Sequence, residues 1–172
     1  ITNKANVPHV IYKWLCQDFY DSEDAAGTTS ITTLLKPVQE VVLRKRYDKQ
    51  IEVEAATRFW SLLGQGVHAV LEKVEDVHIQ KIERLKAKVG NHIVSGKFDL
   101  IYSKKLSDFK VTSANTAVYG NRVEEWKLQL SGYRYLYWRV YKTLLNDTGS
   151  IIGIFRDWSK SKTGGIGYPK FP

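Results

Sequence analysis

The stretch VSGKFDLIYSKKLSDFK, from Val94 to Lys110, combines the alternation of β-strands with charged residues at regular offsets. Asp99 lies in an apolar run, and Asp108 follows nine residues later in a second run. Because alternate side chains of a strand share a face, Asp108 and Lys110 should project to one side and Phe109 to the other. If the two runs pair as a hairpin around YSKK, the carboxylates converge, and buried like charges repel unless a cation or a proton separates them. The stretch therefore predicts a strand pair that carries a charged site.

Strand-like patterns continue on both sides of this hairpin. Polar and apolar residues alternate from Glu83 to Val89, a Gly90-Asn91 turn follows, and apolar runs extend over 93–101 and 106–111. We expect three antiparallel strands here, and a last strand in SIIGIFRDW from Ser150. Together with the helices described next, the pattern predicts an α/β fold in which helices flank one central mixed β-sheet.

The first predicted helix follows a segment rich in turn and capping residues, Asp21 to Thr33. Ser30 or Thr32 could cap this helix, which would have Pro37 in its first turn and continue into RKRYDK. Its basic end consists of Arg44, Lys45 and Arg46. These side chains are either a solvated helix end favoured by the helix dipole or a set of phosphate contacts in DNA binding.

The second predicted helix, from Ile51 to Asp76, has apolar residues at three-and-four spacing. Gly64 and Gly66 interrupt it. Each glycine costs about 1 kcal/mol inside a helix, so the pair predicts a helix break or a close backbone approach before His68. His68 and Glu72 are four residues apart, which places both on one face, within reach of a shared ion.

A third helix is predicted from Arg122 to Leu145 and contains the run YRYLYWRVYK. In this run Arg134 and Arg139 stand among aromatic rings, and basic groups beside such rings can hold phosphates and stack on unpaired bases. Packing in a core explains most of the same aromatic spacing. The two arginines are therefore candidates for DNA binding.

Composition limits the classes of protein that remain. We expect residues 1–172 to form one domain, with a core at about 28–158 and a flexible, Gly-rich tail at 159–172. The single cysteine, Cys16, cannot form an internal disulfide or hold an iron–sulfur cluster, so a reducing, cytoplasmic setting is expected. Apolar runs fall short of the ~20 residues of a membrane span, so no membrane partner is expected. The net charge of +8 makes nucleic acid a candidate partner.

Convergent carboxylates on two strands favour a bound divalent cation. Lys110 compensates part of their repulsion, and a metal ion would do so better. Hard oxygen ligands favour Mg²⁺ or Mn²⁺, and a nearby histidine shifts the preference towards Mn²⁺, since imidazole suits softer metals. An exposed strand edge also carries such charges, so the triplet from Asp108 to Lys110 is weak evidence when taken alone.

The order of the candidate residues along the chain is more specific than any one of them. The chain presents His68-x-x-x-Glu72, then Asp99, then Asp108-x-Lys110, and then Gln129-x-x-x-Tyr133. This order resembles the PD-(D/E)XK nuclease superfamily, and within it the RecB-type exonucleases of phage and recombination systems. The resemblance covers about residues 28–158 through LLGQGVHAVLE, SGKFDL, LSDFK and QLSGY. It implies a restriction-endonuclease-like core.

The resemblance also implies a metal site. Asp99, Asp108 and the backbone carbonyl of Phe109 would bind Mg²⁺ or Mn²⁺. His68 would complete the ligand set, and Glu72 is a further candidate. The metal would lower the pKa of its bound water and neutralise charge on the scissile phosphate.

The catalytic roles implied by the resemblance fall on Lys110, Gln129 and Tyr133, together with the two aspartates. Lys110 would position the attacking water or stabilise the developing charge, whereas Gln129 and Tyr133 would line the cleft, touching the DNA backbone or positioning the lysine. The implied protein is a metal-dependent deoxyribonuclease, an exonuclease of phage or mobile-element recombination or of DNA degradation, in the host cytoplasm. The alternatives are a nuclease-fold module that binds DNA or protein without cutting, and a site- or structure-specific endonuclease.

Two features set this chain apart from parts of the superfamily. The four cysteines that hold an iron–sulfur cluster in some relatives are absent, which excludes those subgroups. No helicase motor is present, so processive action would require a homo-oligomer or a recombination partner protein.

Overall fold

The computed structural model describes residues 1–17, 27–75, 79–80 and 84–172. Within these residues the helices are α1 (His9–Cys16), α2 (Ile31–Leu34), α3 (Val38–Tyr47), α4 (Phe59–Leu71), α5 (Ala114–Tyr119) and α6 (Val123–Tyr141). The strands are β1 (Thr28–Ser30), β2 (Ile79–Gln80), β3 (Leu85–Val89), β4 (His92–Gly96), β5 (Leu100–Tyr102), β6 (Lys105–Thr112) and β7 (Ser150–Phe155). Short 3-10 helices occupy Asp48–Gln50, Ala55–Arg58 and Lys160–Lys162. Three parts of the sequence predictions lie outside the described residues: the turn residues at 21–26, the helix end at Asp76 and the strand start at Glu83.

The described strands form two mixed sheets. The first has the order β1-β4-β3, in which β1 is parallel to β4, and β3 pairs antiparallel with β4 across the predicted Gly90-Asn91 turn. The second has the order β2-β5-β6-β7, in which β6 and β7 are parallel and the other pairs are antiparallel. The α/β class and the mixed pairing are confirmed. The prediction of one central sheet is wrong for the described strands.

The division between the sheets lies at residues 97–99, inside the strand predicted over 93–101. Phe98 is 1% exposed and packs its ring against Tyr133 and Tyr137 of α6, at centroid distances of 5.9 and 6.3 Å. Asp99 turns its carboxylate to the backbone N–H of Phe109. The chain therefore leaves one sheet after β4 and enters the other at β5, with Phe98 as a buried anchor.

The hairpin predicted around YSKK is confirmed as the β5–β6 pair. Its turn residues, Ser103 and Lys104, have φ values of 49° and 62°. Two successive positive φ values are typical of the type I′ turn, whose twist fits antiparallel strands. The register pairs Leu100 with Ser107, and extending it by one pair sets Asp99 opposite Asp108. A short turn thus brings the two carboxylates together.

The first predicted helix is divided in two. The Ser30 Oγ accepts the Thr33 N–H at 3.1 Å and caps α2, as predicted. However, α2 ends at Leu34, and α3 begins only after Pro37. Proline lacks an N–H and disfavours the helical conformation of the residue before it, so the predicted continuous helix is wrong.

The second predicted helix starts late and has no break. Glu54 pairs with Thr2 in an isolated β-bridge, so α4 begins only at Phe59, after the 3-10 turn. The helix then continues through Gly64 and Gly66 to Leu71, so the predicted break is wrong. Among the described residues, a Cβ at either glycine would meet no atom within 4 Å from outside the neighbouring backbone of α4. Neither glycine is therefore explained by a close approach of the protein's own backbone.

The site is built around β6, with α4 packed on one face of this strand and α6 on the other. The buried residues of α6 are Trp126, Gln129, Tyr133, Leu136 and Tyr137. α6 packs across both sheets, against β3, β4 and β6, and it ends where Lys142 takes the left-handed conformation. Leu106, on the same face of β6 as Asp108, belongs to the core under α6. On the other face, the rings of Phe109 and His68 contact each other edge to face, with centroids 6.2 Å apart.

The chain after β7 contacts itself. Trp158 donates its indole N–H to the Pro169 carbonyl at 3.0 Å, and the Ser159 N–H donates to the Tyr168 hydroxyl at 2.9 Å. The domain limits and the flexible tail stay predictions. Among the helices in the described part of the chain, none combines the length and the apolarity needed to cross a bilayer.

Candidate active site

Asp99 connects α4 to β6 through its carboxylate. Its Oδ1 lies 2.9 Å from the Nδ1 of His68, and its Oδ2 accepts the Phe109 backbone N–H at 2.5 Å. Because β5 begins only at Leu100, the carboxylate takes the position where a further strand residue would have paired. The side chain is 11% exposed, so both bonds form largely out of water.

His68 is oriented by this carboxylate. The hydrogen bond to Asp99 raises the pKa of the imidazole above its usual value, against the opposing effect of burial. When the neutral ring carries its proton on Nδ1, that proton serves the bond to Asp99 and Nε2 is the free lone pair. A carboxylate on one ring nitrogen and a metal on the other is a common arrangement in metal sites.

Asp108 is the most deeply buried charged group of the site, with 3% of its surface exposed. Burial raises the pKa of its carboxyl to about 6, the charge of Asp99 adds to the rise, and Lys110 opposes it. The Lys110 ammonium lies 2.5 Å from the Asp108 Oδ2 as an ion pair. Apart from this ion pair, the buried Oδ2 has no partner among the described residues. Asp108 therefore depends on Lys110 at this oxygen, where a bound cation could take the place of the ammonium.

Lys110 projects from β6 on the same face as Asp108, as the alternation predicted, and its side chain is 23% exposed. A residue that the sequence reasoning missed lies towards it, in the first turn of α6. Arg122 lowers the pKa of Glu125 through a hydrogen bond, and the charge of Lys110 contributes to the same shift. Glu125 stands four residues before Gln129 and so lies on the same side of the helix. This spacing could have identified Glu125 as a further candidate residue of the site.

Gln129 and Tyr133 lie one turn apart on α6, above the β6 face that carries Asp108. The Gln129 amide donates to the Tyr133 hydroxyl at 2.8 Å, and both residues are buried. The Tyr133 ring also packs on Phe98, the residue before Asp99. Gln129 and Tyr133 are thus bonded to each other, and Tyr133 packs against the residue next to Asp99.

Glu72 lies at the end of α4 and forms an ion pair with Lys97 at 2.8 Å. Sequence reasoning missed Lys97, which stands two residues before Asp99. Glu72 lines a small cleft of about 100 Å³ with residues from α4, β5 and β6. The other lining residues are His68, Leu71, Val74, Asp99, Leu100 and Phe109.

The donor chemistry of the cluster fits a divalent cation, although the present arrangement is closed. The fit rests on two carboxylates in register, one of which has a buried oxygen that faces only the Lys110 ammonium among the described residues. Within the ranges that the structure describes, no three or more His, Cys, Asp or Glu side chains are grouped as metal ligands. Asp99 uses both oxygens for protein partners, and Lys110 lies against Asp108. For Phe109, the group that takes part here is the N–H, whereas the prediction was its carbonyl.

The predicted DNA contacts on α3 are the exposed residues Arg44, Lys45 and Arg46 at its end. Arg44 pairs with Glu40 one turn earlier, at 2.9 Å. No residue of α3 is buried. These side chains form a charged surface on a separate helix, and the structure shows no contact between them and the carboxylate cluster in the described residues.

The predicted DNA contacts on α6 are both engaged with the protein. Arg134 forms an ion pair with Asp147. Arg139 donates its guanidinium N–H to the Lys88 carbonyl of β3 at 2.7 Å. Arg139 therefore helps to fix α6 on the first sheet, away from the carboxylates on the second.

Comparisons with known proteins give the fold alone. No family model matches the chain, and no curated protein matches it. A solved crystal structure, that of the protein designated SSO0001, is similar with a TM-score of 0.58 and 18% sequence identity. The similarity covers 87% of this chain and 72% of that one. Most of the chain thus has a counterpart in a known architecture.

Proposed function

We propose that this protein is a metal-dependent deoxyribonuclease, and that the β2-β5-β6-β7 sheet with α4 and α6 is a restriction-endonuclease-like core. One observation carries the proposal. Asp99 stands opposite Asp108 where β5 begins, with His68 bonded to the first carboxylate and Lys110 paired to the second. A nuclease needs such a cluster where an anionic backbone can approach, and the net charge of +8 favours that approach.

The chemistry follows from the residues of the cluster. Asp99 and Asp108 would hold Mg²⁺ or Mn²⁺. His68 would join the same ion as a nitrogen ligand through Nδ1, in exchange for its bond to the Asp99 Oδ1, because Nε2 points away from that carboxylate. When bound, the ion supplies a hydroxide at neutral pH and neutralises charge on the phosphate. Lys110 holds its ammonium against Asp108 in the metal-free protein, and a cation on the carboxylates would repel it towards the phosphate. There it would stabilise the charge that develops in the transition state.

The finer form of the proposal rests on the sequence resemblance. In this form, the protein is an exonuclease that acts in phage or mobile-element recombination or in DNA degradation. It is active in the cytoplasm as a homo-oligomer or with a recombination partner protein. A DNA-binding protein that does not cut is the second candidate, and the closed arrangement of the cluster favours it. In that protein, the Lys110–Asp108 pair would be structural and permanent.

Cleavage assays separate these candidates. Covalently closed plasmid and end-labelled linear DNA are incubated with Mg²⁺, Mn²⁺ or EDTA. We expect degradation of linear DNA with either metal and none with EDTA, and no degradation by Asp99→Asn or Asp108→Asn. Glu52→Gln, which changes an exposed carboxylate outside the cluster that pairs with Lys4, is the matched control and should keep full activity.

Three results would change the proposal. Cleavage of closed plasmid would identify an endonuclease. DNA binding without cleavage under any metal would favour the second candidate. Wild-type activity of Asp108→Asn would remove the metal site from the mechanism.

A further inference from the structure

Three residues of α4 form a stripe along one side of the helix, which we call the α4 track: Trp60, Gly64 and His68. Residues four apart on a helix lie on the same side, so the stripe is continuous. It spans eight residues, or about 12 Å of helix. At one end His68 contacts Asp99 of the candidate active site, and at the other end Trp60 is half exposed.

An arginine is stacked on the exposed end of the α4 track. The guanidinium of Arg156 lies 4.7 Å from the centre of the Trp60 ring. Arg156 is exposed, and it has no acidic partner within ion-pair distance among the described residues. Hydrogen bonds from Ser113 and the Ala114 N–H lower the pKa of the neighbouring Asp157. The charge of Arg156 contributes to the same shift, but the carboxylate forms no ion pair with this arginine. The Trp60 ring therefore holds a cation in a fixed position where it can still meet an anion.

Further aromatic rings extend this end of the track. Phe59 contacts Trp60 edge to face with centroids 5.3 Å apart, and Trp14 contacts Phe59 in the same way at 5.9 Å. Phe59 is 38% exposed and Trp60 is 50% exposed. Exposed aromatic rings beside a cation are the combination that holds single-stranded nucleic acid, since bases stack on the rings and phosphates pair with the cation.

The backbone places Arg156 close to the charged cluster. Its N–H donates to the Thr112 carbonyl at 3.0 Å, just after the parallel pairing of β6 with β7. Thr112 follows Lys110 by two residues on the same strand, which corresponds to about 7 Å. The aromatic end of the α4 track is thus joined to the candidate active site along both α4 and β6.

Gly64 leaves the middle of the α4 track open. Glycine is a poor helix former, and a Cβ here would meet no atom of the described residues within 4 Å apart from the neighbouring backbone of α4. The fold therefore does not require glycine at this position. The absence of a side chain leaves room between Trp60 and His68 for a ligand that lies along the helix.

We infer that the α4 track binds one unpaired DNA strand and leads it from Trp60 and Arg156 to the carboxylates. The inference rests on the proposed function in taking DNA as the ligand, and it adds that the substrate strand must be single at this point. A base that remains paired cannot present its face to Trp60.

A pair of glycine variants tests the inference. Gly64→Leu places a side chain in the α4 track, whereas Gly66→Leu places the same side chain about 200° around the helix. Both positions are open, so both variants should fold. Binding of fluorescein-labelled oligothymidylate is measured by anisotropy in EDTA, where cleavage cannot occur. Gly64→Leu should weaken binding about tenfold, the loss typical of a stacked base, and Gly66→Leu should leave it within about twofold.

Substitutions at the exposed end test its two components separately. Trp60→Ala should also weaken binding about tenfold, and Trp60→Phe should restore most of the affinity, since it keeps a ring for stacking. Arg156→Ala should lower the slope of log affinity against log salt by about 0.7, as expected for one phosphate contact on a single strand. Blunt duplex DNA, measured in parallel, should respond little to any of these variants.

Several results would overturn the inference. They are equal effects of the two glycine variants, equal losses for duplex and single-stranded DNA, and no oligothymidylate binding by the wild type, which would assign the surface to a protein partner. The proposed function fails separately. A wild type that cuts linear DNA while Gly64→Leu binds normally keeps the nuclease and loses the track. If the wild type binds single-stranded DNA through the α4 track and never cuts DNA, the track is kept and the nuclease proposal is lost.

Discussion

Replacing Asp108 by asparagine should stabilise the metal-free protein while abolishing cleavage. Asp108 is 3% exposed, and the pKa of its carboxyl rises from 3.8 to about 6 because burial penalises the charged form. At 1.36 kcal/mol per pKa unit, ionised Asp108 costs the folded state roughly 3 kcal/mol above pH 6. The pKa of about 6 already includes the opposing effect of Lys110, so roughly 3 kcal/mol is the net cost of the charge and the upper limit of the gain from asparagine.

The sign of the effect depends on pH. Between pH 3.8 and about 6 the folded protein keeps the Asp108 proton that the unfolded chain has released, so stability falls as pH rises through this interval. Above pH 6 the cost is fully present, and below pH 3.8 it is absent. The gain from Asp108→Asn should therefore be largest at pH 8 and disappear by about pH 4.

Thermal unfolding in EDTA measures this difference. One kcal/mol shifts the Tm of a domain of this size by about 2–4 °C, so we expect a rise of several degrees at pH 8. Mg²⁺ should raise the Tm of the wild type and leave that of the variant unchanged, because only the wild type binds it. Asp147→Asn, whose carboxylate is exposed, is the control and should show no gain. A lower Tm for Asp108→Asn at pH 8 would refute the reasoning and assign Asp108 a purely structural ion pair.

Three other substitutions test separate parts of the structure. Lys110→Ala should reduce the single-turnover cleavage rate by about 10² or more while DNA affinity changes little, whereas a structural lysine would instead lower the Tm and leave the rate of the folded fraction intact. His68→Ala should weaken activation by Mn²⁺ more than it weakens folding, and an unchanged metal titration would make His68 an ordinary packed histidine. Asp157→Asn should destabilise α5, because hydrogen bonds from Ser113 and the Ala114 N–H hold the pKa of Asp157 below its usual value. That stabilisation is present above the unfolded pKa near 3.8 and is lost as pH falls through the lower folded value, so urea unfolding curves of wild type and variant should converge in acid and differ at pH 7.

Local patterns predicted the parts of the fold that depend on neighbouring residues. The alternation in LSDFK placed Asp108 and Lys110 on one face of β6 and Phe109 on the other, because side-chain direction in a strand is fixed by the backbone. The hairpin turns and the existence of the last strand were also within reach of local rules, whereas its parallel pairing with β6 was not predicted. Two helix predictions were wrong because a periodic apolar pattern and a single residue indicated different outcomes. At Pro37 the pattern predicted one continuous helix, and the proline interrupted it. At Gly64 and Gly66 the glycines predicted a break, and α4 continued through both.

The candidate site was less predictable, because its contacts join residues far apart in sequence. The spacing of His68 and Glu72 suggested a shared ion, yet His68 contacts Asp99 and Glu72 contacts Lys97. The bond from the Phe109 N–H to Asp99 depends on β5 beginning only at Leu100, and no local pattern determines where a strand loses its partner. Sequence could nominate the carboxylates, and only the packing of α4 on β6 shows which protein groups hold them.

The number of residues in the turn at Ser103 and Lys104 determines which residues of β5 and β6 lie opposite each other, and therefore how far apart the two carboxylates are. Inserting one residue there would displace the pairing by one position and turn the affected side chains to the opposite face of the sheet. Asp99 would then stand beside the Phe109 side of β6 with Asp108 on the other side, although every charged residue of the cluster would still be present. The length of this turn is therefore far more restricted than its composition. Homologous or engineered chains that keep the cluster should keep a loop of this length.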